Sequence, residues 1–419
     1  MTARPAVQAP DLTSHTTVSG LTVTASPLAT VPMVQAHLAI RLTLVTHADL
    51  AVFDVLTGCW PDSPACARFE QHGGVVSISR HNEWLLLSLT CGSDRIALVG
   101  DTLSALTGHA YTDAQVQAAK AKSLQQAVFV AAQPGLESSR RMWQAVYGQV
   151  PPSVDPAPTP EAVDQVDTEQ VRQAHRRAIT PAGAHLVIVG DVDPDQVTHE
   201  LARALADWST GGLRQAPPPA TPQLLPEPQV IHQHLPAWAQ TQIRLAAPTA
   251  APDDLDGYAA ALVASLVLAG NFASRVNMVL REDLGLAYRT NSALADVLGQ
   301  NFLVLEADVN PAGTAAAMRR LLGIFEDFAA AGPTGAELDA AIGYTNGKYA
   351  LTLSSQAGRA SCLLSYLIAG VELSGIVEVP ARITATTPAA VQSAAGRFAP
   401  PLLRGAVCGD TGALPRSWF

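Results

Sequence analysis

The stretch MVLREDLGLAYRT, residues 278–290, sets a guanidinium and a phenol on either side of a helix break: Arg281 and Tyr288, with Gly285 between them. Only 15% of the residues are charged, so a cation kept at such a break raises the question of what it does. Both groups donate hydrogen bonds. The guanidinium is always charged and presents a planar fork, and the phenol offers one O–H. A helix ending near Asp283, a positive φ at Gly285 and a strand starting at Leu286 would turn both side chains to one wall. The competing expectation is that Arg281 pairs with Glu282 or Asp283 and Tyr288 packs in a core.

Other candidates offer less. Read as one strand, QHGGVVSISRHNEW (71–84) puts His81 and Glu83 on one face, with His72 nearby, but the spacing fits no usual zinc site. His232 and His234 alternate on a strand and read as packing or surface residues. NGKY (346–349) lacks the preceding glycine of a phosphate loop, and no G-x-S-x-G elbow occurs.

The elements that must position the pair follow from composition and pattern. The chain has 419 residues, beyond the roughly 250–300 that one core usually supports, so at least two domains are expected. Hydrophobic residues make up 48%, which is a globular composition. A formal charge of −10 argues against nucleic acid and against an acidic membrane surface. The N-terminus carries no apolar run of a signal peptide, and YAAALVASLVLAGNF (258–272) reads as a buried helix too short to span a bilayer. The five scattered cysteines read as reduced thiols of a cytoplasmic protein.

Prolines crowd residues 214–229, RQAPPPATPQLLPEPQ, which reads as an extended linker between an N-terminal domain (1–213) and a C-terminal domain (230–419). The two sides end alike. VDTEQVRQAHRRAITPAGAHLVIVGD (166–191) and ITATTPAAVQSAAGRFAPPLLRGAVCGD (383–410) each give a capped helix, a Pro-containing turn and a strand closing in Gly-Asp. Thr168 and Thr386 or Thr387 are the expected N-caps. This points to duplication. Strand-like runs such as AHLAIRLTLVT and NFLVLEADVN alternate with alanine-rich helices, which predicts an α+β class. Two homologous domains are expected, each a mainly antiparallel sheet packed against helices.

The segment VLAGNFASRVNMVLREDLGLAYRTNSAL resembles the C-terminal-domain signature of the pitrilysin-type, inverted-zincin metallopeptidases, through Gly270, Ser274, Arg275, Leu280, Arg281, Glu282, Gly285, Leu286 and Tyr288. GQNFLVLEADV (299–309), AAGPTGAELDAA (330–341) and Gly409-Asp410 follow in register. The first half fits more loosely through VSGLTVTASP, FEQHGG and VIVGDVDP. The resemblance implies two domains arranged as half of a clamshell. In active members H-x-x-E-H on a helix, with a later glutamate, holds zinc and activates water. The resemblance places those positions at Val52, Val55 and Leu56, and the later glutamate at Gln125 or Gln126. The valines and the leucine have no lone pair for a metal, and a neutral amide is a poor zinc ligand.

The resemblance therefore implies a non-catalytic subunit with no metal of its own. It would pair with a zinc-bearing homologous subunit and receive a peptide or unfolded protein. The family pattern gives Arg281 and Tyr288 the substrate side of the shared chamber, with the guanidinium on a peptide carbonyl and the phenol on the developing oxyanion. The alternative is a purely structural or interaction subunit, like the core proteins of the respiratory cytochrome bc complex.

Overall fold

The computed structural model describes residues 10–17, 19–209, 221–251 and 253–415. It divides into two compact units. One comprises residues 1–129, 157–220 and 349–377, and the other residues 130–156, 221–348 and 378–419. Residues 214–220 of the expected linker lie outside the described residues.

The first unit holds a six-stranded sheet of β1 (Thr13–Thr16), β2 (Thr22–Pro27), β3 (Met33–Arg41), β4 (Val75–His81), β5 (Trp84–Gly92) and β6 (His185–Gly190), ordered β1-β2-β6-β3-β5-β4. The second holds β7 (Val230–His234), β8 (Thr241–Pro248), β9 (Ala287–Val297), β10 (Gln300–Val309) and β11 (Arg404–Gly409), ordered β7-β11-β8-β10-β9. Leaving out β1, the two orders are the same. Each sheet has one parallel pair, β2 with β6 and β7 with β11, and is otherwise antiparallel. The expected α+β class and the two homologous domains are thus both present, and each sheet is mainly antiparallel, as expected, with one parallel pair.

Three local expectations are corrected. The run read as one strand, QHGGVVSISRHNEW, instead holds β4 and the turn of the hairpin β4–β5, which bends at Asn82 and Glu83 with Asn82 at φ +50°. His81 therefore pairs across the hairpin with Trp84, and Glu83 is buried in the turn against Arg41 at 3.4 Å. The strand β3 stops at Arg41, because Thr46 and Asp49 close a capping box that starts the helix His47–Gly58. The helix Thr168–Ala178 is capped by Asp167 rather than Thr168, since Gln170 completes a capping box with the aspartate. Thr387 does cap the helix Pro388–Gly396.

Burial follows the pattern of the strands. Leu38 and Ile40 of β3, Leu85, Leu87 and Leu89 of β5 and Leu186 and Ile188 of β6 enter one core. The helix Leu255–Leu268 is buried over most of its length, and among the described residues no helix is long and apolar enough to cross a membrane.

One face of each sheet is closed by a helix from the far side of the sequence. The helix Gln356–Ile368 packs on β6 and β3, with Gln356 Nε2 donating to Leu28 O at 2.7 Å and to Val31 O at 3.0 Å. The helix Pro134–Tyr147 packs on β11 and β8, where Trp143 and Tyr147 meet Phe302. These are equivalent strands in the two sheets.

A buried polar relay fastens the first unit. Trp60 Nε1–H donates to the Tyr111 hydroxyl at 2.9 Å, which leaves that hydroxyl free to donate to His175 Nδ1 at 2.8 Å. His175 Nε2–H then donates to Thr107 O at 2.8 Å. The pattern is satisfied only by a neutral imidazole, and burial lowers the His175 pKa in agreement.

Candidate functional site

The site begins where the helix Leu255–Leu268 runs into a turn. Asn271 ties the turn down, donating from Nδ2 to Leu266 O at 3.1 Å and accepting from Ala273 N at 2.8 Å. Asn277 clamps the turn to the strand: its Nδ2 donates to Phe272 O at 2.7 Å and its Oδ1 accepts from the Thr290 hydroxyl at 3.1 Å. Arg275 fastens the same segment to the helix Gly335–Ser354 through two 2.7 Å bonds to Glu337. It also donates to Gly332 O at 3.0 Å and lies over the Phe328 ring. Asn271, Asn277 and Arg275 thus build the frame that holds the pair.

Residues Asn277–Asp283 wind as a π-helix. It ends with Leu284 N donating to Val279 O at 3.2 Å and Leu286 N to Leu280 O at 2.7 Å. Gly285 takes φ +59°, and nothing lies near where its Cβ would stand, so the backbone angle rather than space requires glycine. β9 then starts at Ala287. The same turn in the first unit, at Gly73 with φ +78°, carries Phe69 and Val76 where the second carries Arg281 and Tyr288. Phe69 is a core residue there.

Arg281 and Tyr288 line one cleft of about 890 Å³, with Phe272, Asn277 and Tyr344 among its walls. Tyr288 is 78% exposed, which removes the expectation of a core role. Arg281 is 40% exposed, lies 5.5 Å over the Phe272 ring and reaches Glu282 at 3.6 Å. That ion pair is long and open to water, so it holds the guanidinium weakly. β9 is the last strand of its sheet, so the cleft opens beside a strand edge.

Glu337 also borders the cleft, yet it is committed. The Arg275 guanidinium, with help from Thr334, holds its carboxyl down at about 2. A depressed carboxylate contributes stability that is complete above its unfolded value near 4.5 and is lost as pH falls through about 2. Glu337→Gln is expected to flatten the acid limb of the melting curve between those values. A pH series of thermal melts from pH 2 to 6 on both proteins checks this, and parallel acid limbs would refute it.

Residues 165–343, a span that contains both Arg281 and Tyr288, match the family model of the peptidase M16 inactive domain. The chain is M16-like. No curated protein matches it in sequence. A protease from Helicobacter pylori shares the fold with TM-score 0.87 at 15% identity, over 95% of this chain and 99% of that one. The peptidase M16 inactive domain from Pseudomonas fluorescens gives 0.84 at 18%, over 95% and 98%. A chain of complex III2 from Candida albicans, solved with Inz-5 bound, gives 0.76 at 12%, over 96% and 97%. The M16 fold and the inactive-domain class agree with the resemblance carried by the Gly270–Tyr288 segment.

The M16 resemblance assigns two zinc-binding positions to Val52 and Leu56 and the water-activating position to Val55. All three stand on the helix His47–Gly58, where Val55 and Leu56 are fully buried in the core and Val52 packs against it. Gln125 and Gln126 are exposed on the helix Asp113–Ala131. These side chains do not fit a zinc ion: three lack a lone pair and two are neutral amides. Among the described residues, no group of three or more His, Cys, Asp or Glu could hold a metal. His72 is spent elsewhere, with Nδ1 2.8 Å from Arg68 O at its helix end.

Sequence reasoning named Arg281 and Tyr288 but not the aromatic company they keep. Phe272 and Tyr344 reach the same cleft. The signal for Phe272 lay in its place at a helix end, and that for Tyr344 in the Ala336, Ala340, Tyr344 spacing of four residues along one helix face.

Proposed function

We propose that this M16-like chain is the non-catalytic subunit of a two-chain zinc peptidase. A homologous partner supplies the metal, its ligands and the general base. This chain supplies Arg281 and Tyr288, which contact a peptide or unfolded-protein substrate. The observation that carries the reading is the contrast between two places: apolar side chains at Val52, partly buried, and at Val55 and Leu56, fully buried, and an open guanidinium and phenol on one cleft. A buried valine tolerates no metal. An exposed tyrosine beside a half-exposed arginine contributes little to folding, and its chemistry is that of a donor pair for a carbonyl or an oxyanion.

The scattered free cysteines favour a cytoplasmic setting for the pair. The test is purification of the native chain from its source cell, with bound chains identified and zinc counted. A homologous chain bearing H-x-x-E-H, present one to one with one zinc per pair, is the expected result. The chain alone with stoichiometric zinc would overturn the reading.

The second reading is a structural subunit without a peptidase role. The fold shared with the chain of complex III2 from Candida albicans favours it. Recovery of this chain in an assembly that contains no zinc-bearing homologue would select that reading.

A further inference from the structure

The cleft around Arg281 has a second chemical character. On one side the helix Gly335–Ser354 turns Ala336, Ala340 and Tyr344 toward it, spaced four residues apart. Alanine at two of these positions leaves the wall recessed. The turn after Leu268 sets Phe272 on the same cleft, 76% exposed. Tyr344 is 49% exposed. Among the described residues four aromatic side chains count as exposed, and Phe272, Tyr288 and Tyr344 all face this cleft; only Phe129 does not. Scattered exposed apolar residues need no explanation, but a cluster rimming a recess does.

We infer that Phe272, Ala340 and Tyr344 form a side-chain pocket that selects a bulky apolar residue of an extended peptide. This rests on the proposed substrate role of Arg281 and Tyr288, and it names the substrate class. The occupant follows from the walls. Two aromatic faces and a recess of alanine methyl groups gain from burying an aromatic or branched aliphatic side chain. A basic side chain is disfavoured, because Arg281 is cationic and Glu337, the acid on the cleft wall, is already bound by Arg275. An extended main chain fits because β9 is an edge strand with backbone groups open along its outer side. The volume, about 890 Å³, is that of a site for one or a few side chains.

The test uses the full chain and four fluorescein-labelled, unstructured peptides identical except for one guest residue: Phe, Leu, Ala or Lys. Fluorescence anisotropy reads affinity. The Phe and Leu peptides are expected to bind about tenfold more tightly than the Ala peptide, and the Lys peptide most weakly. Ala340→Trp fills the recess and is expected to bring the Phe peptide down to the Ala value while leaving the Ala peptide unchanged. Tyr344→Ser is expected to shrink the same preference. Both positions are exposed, and circular dichroism verifies that the variants fold. Equal binding of Phe and Ala guests, or a Phe preference that survives Ala340→Trp, overturns the pocket and leaves the Arg281 role standing. Failure of every guest peptide to bind, with no effect of Arg281→Ala, overturns both.

Discussion

Arg281→Ala, assembled with a zinc-bearing partner, is expected to cut peptide turnover by about 10²–10³-fold, the usual loss for one preorganised donor to a developing charge. Tyr288→Phe removes one O–H and is expected to act similarly. The fold should barely notice either change, because Tyr288 is exposed and Arg281 makes a long, solvated pair with Glu282 and a contact with the exposed Phe272 ring. Unchanged melting alongside a large rate loss therefore separates a substrate role from a structural one. The kinetic split then assigns the role of each. A donor that meets only the oxyanion lowers kcat and leaves KM in place, whereas one that already holds the ground-state carbonyl raises KM. Full activity of both variants would remove the substrate role and favour the structural subunit.

The second large effect concerns stability. Arg244 of β8 is 1% exposed, an uncommon place for a guanidinium. Its Nη1 donates to Ile243 O at 2.9 Å and its Nη2 to Gln242 Oε1 at 2.6 Å. Asp308 Oδ1 lies 2.8 Å from Nη1 but off the N–H direction, so this contact is charge pairing without a formed hydrogen bond. Glu306 lies 3.7 Å from Nε, and Arg289 pairs with the same two carboxylates from β9. Arg244→Ala is expected to destabilise the second unit by about 3–5 kcal/mol, because it strands partly buried carboxylates that only Arg289 then balances. That corresponds to a fall in melting temperature of roughly 10 °C. The Arg244→Met, Asp308→Leu double variant removes both signs together and is expected to recover part of the loss. A single variant melting within a degree or two of the parent would show that the cluster contributes little.

Much of this was readable in the chain because the information was local. The strand runs of β2, β6, β8, β10 and β11 alternate or stay apolar over short lengths, and the break at Gly285 follows from one residue able to take positive φ. The β4–β5 hairpin was missed because its turn, Asn82-Glu83, has no glycine or proline to mark it. β1 was missed because TSHT is short and polar. The exposure of Tyr288 was not readable, since a tyrosine after a strand start serves a core as readily as a cleft. The alanine recess facing Phe272 was hidden for another reason: it joins residues far apart in sequence, and local pattern does not encode which helix will stand opposite a turn.

The crossed helices have a consequence in time. β6 ends at Gly190, yet the helix that covers it with β3 starts at Gln356. In the other direction, the helix ending at Tyr147 waits for β11, which starts at Arg404. At about 5–20 residues per second, translation leaves the first sheet half-covered for on the order of ten seconds or more. Its apolar face is therefore a target for chaperones or for a neighbouring nascent chain throughout that interval. A sequence built by duplication thus has no early folding stage in which one copy stands finished, and an interruption of synthesis anywhere before Gln356 yields a product with an uncovered sheet rather than a smaller stable protein.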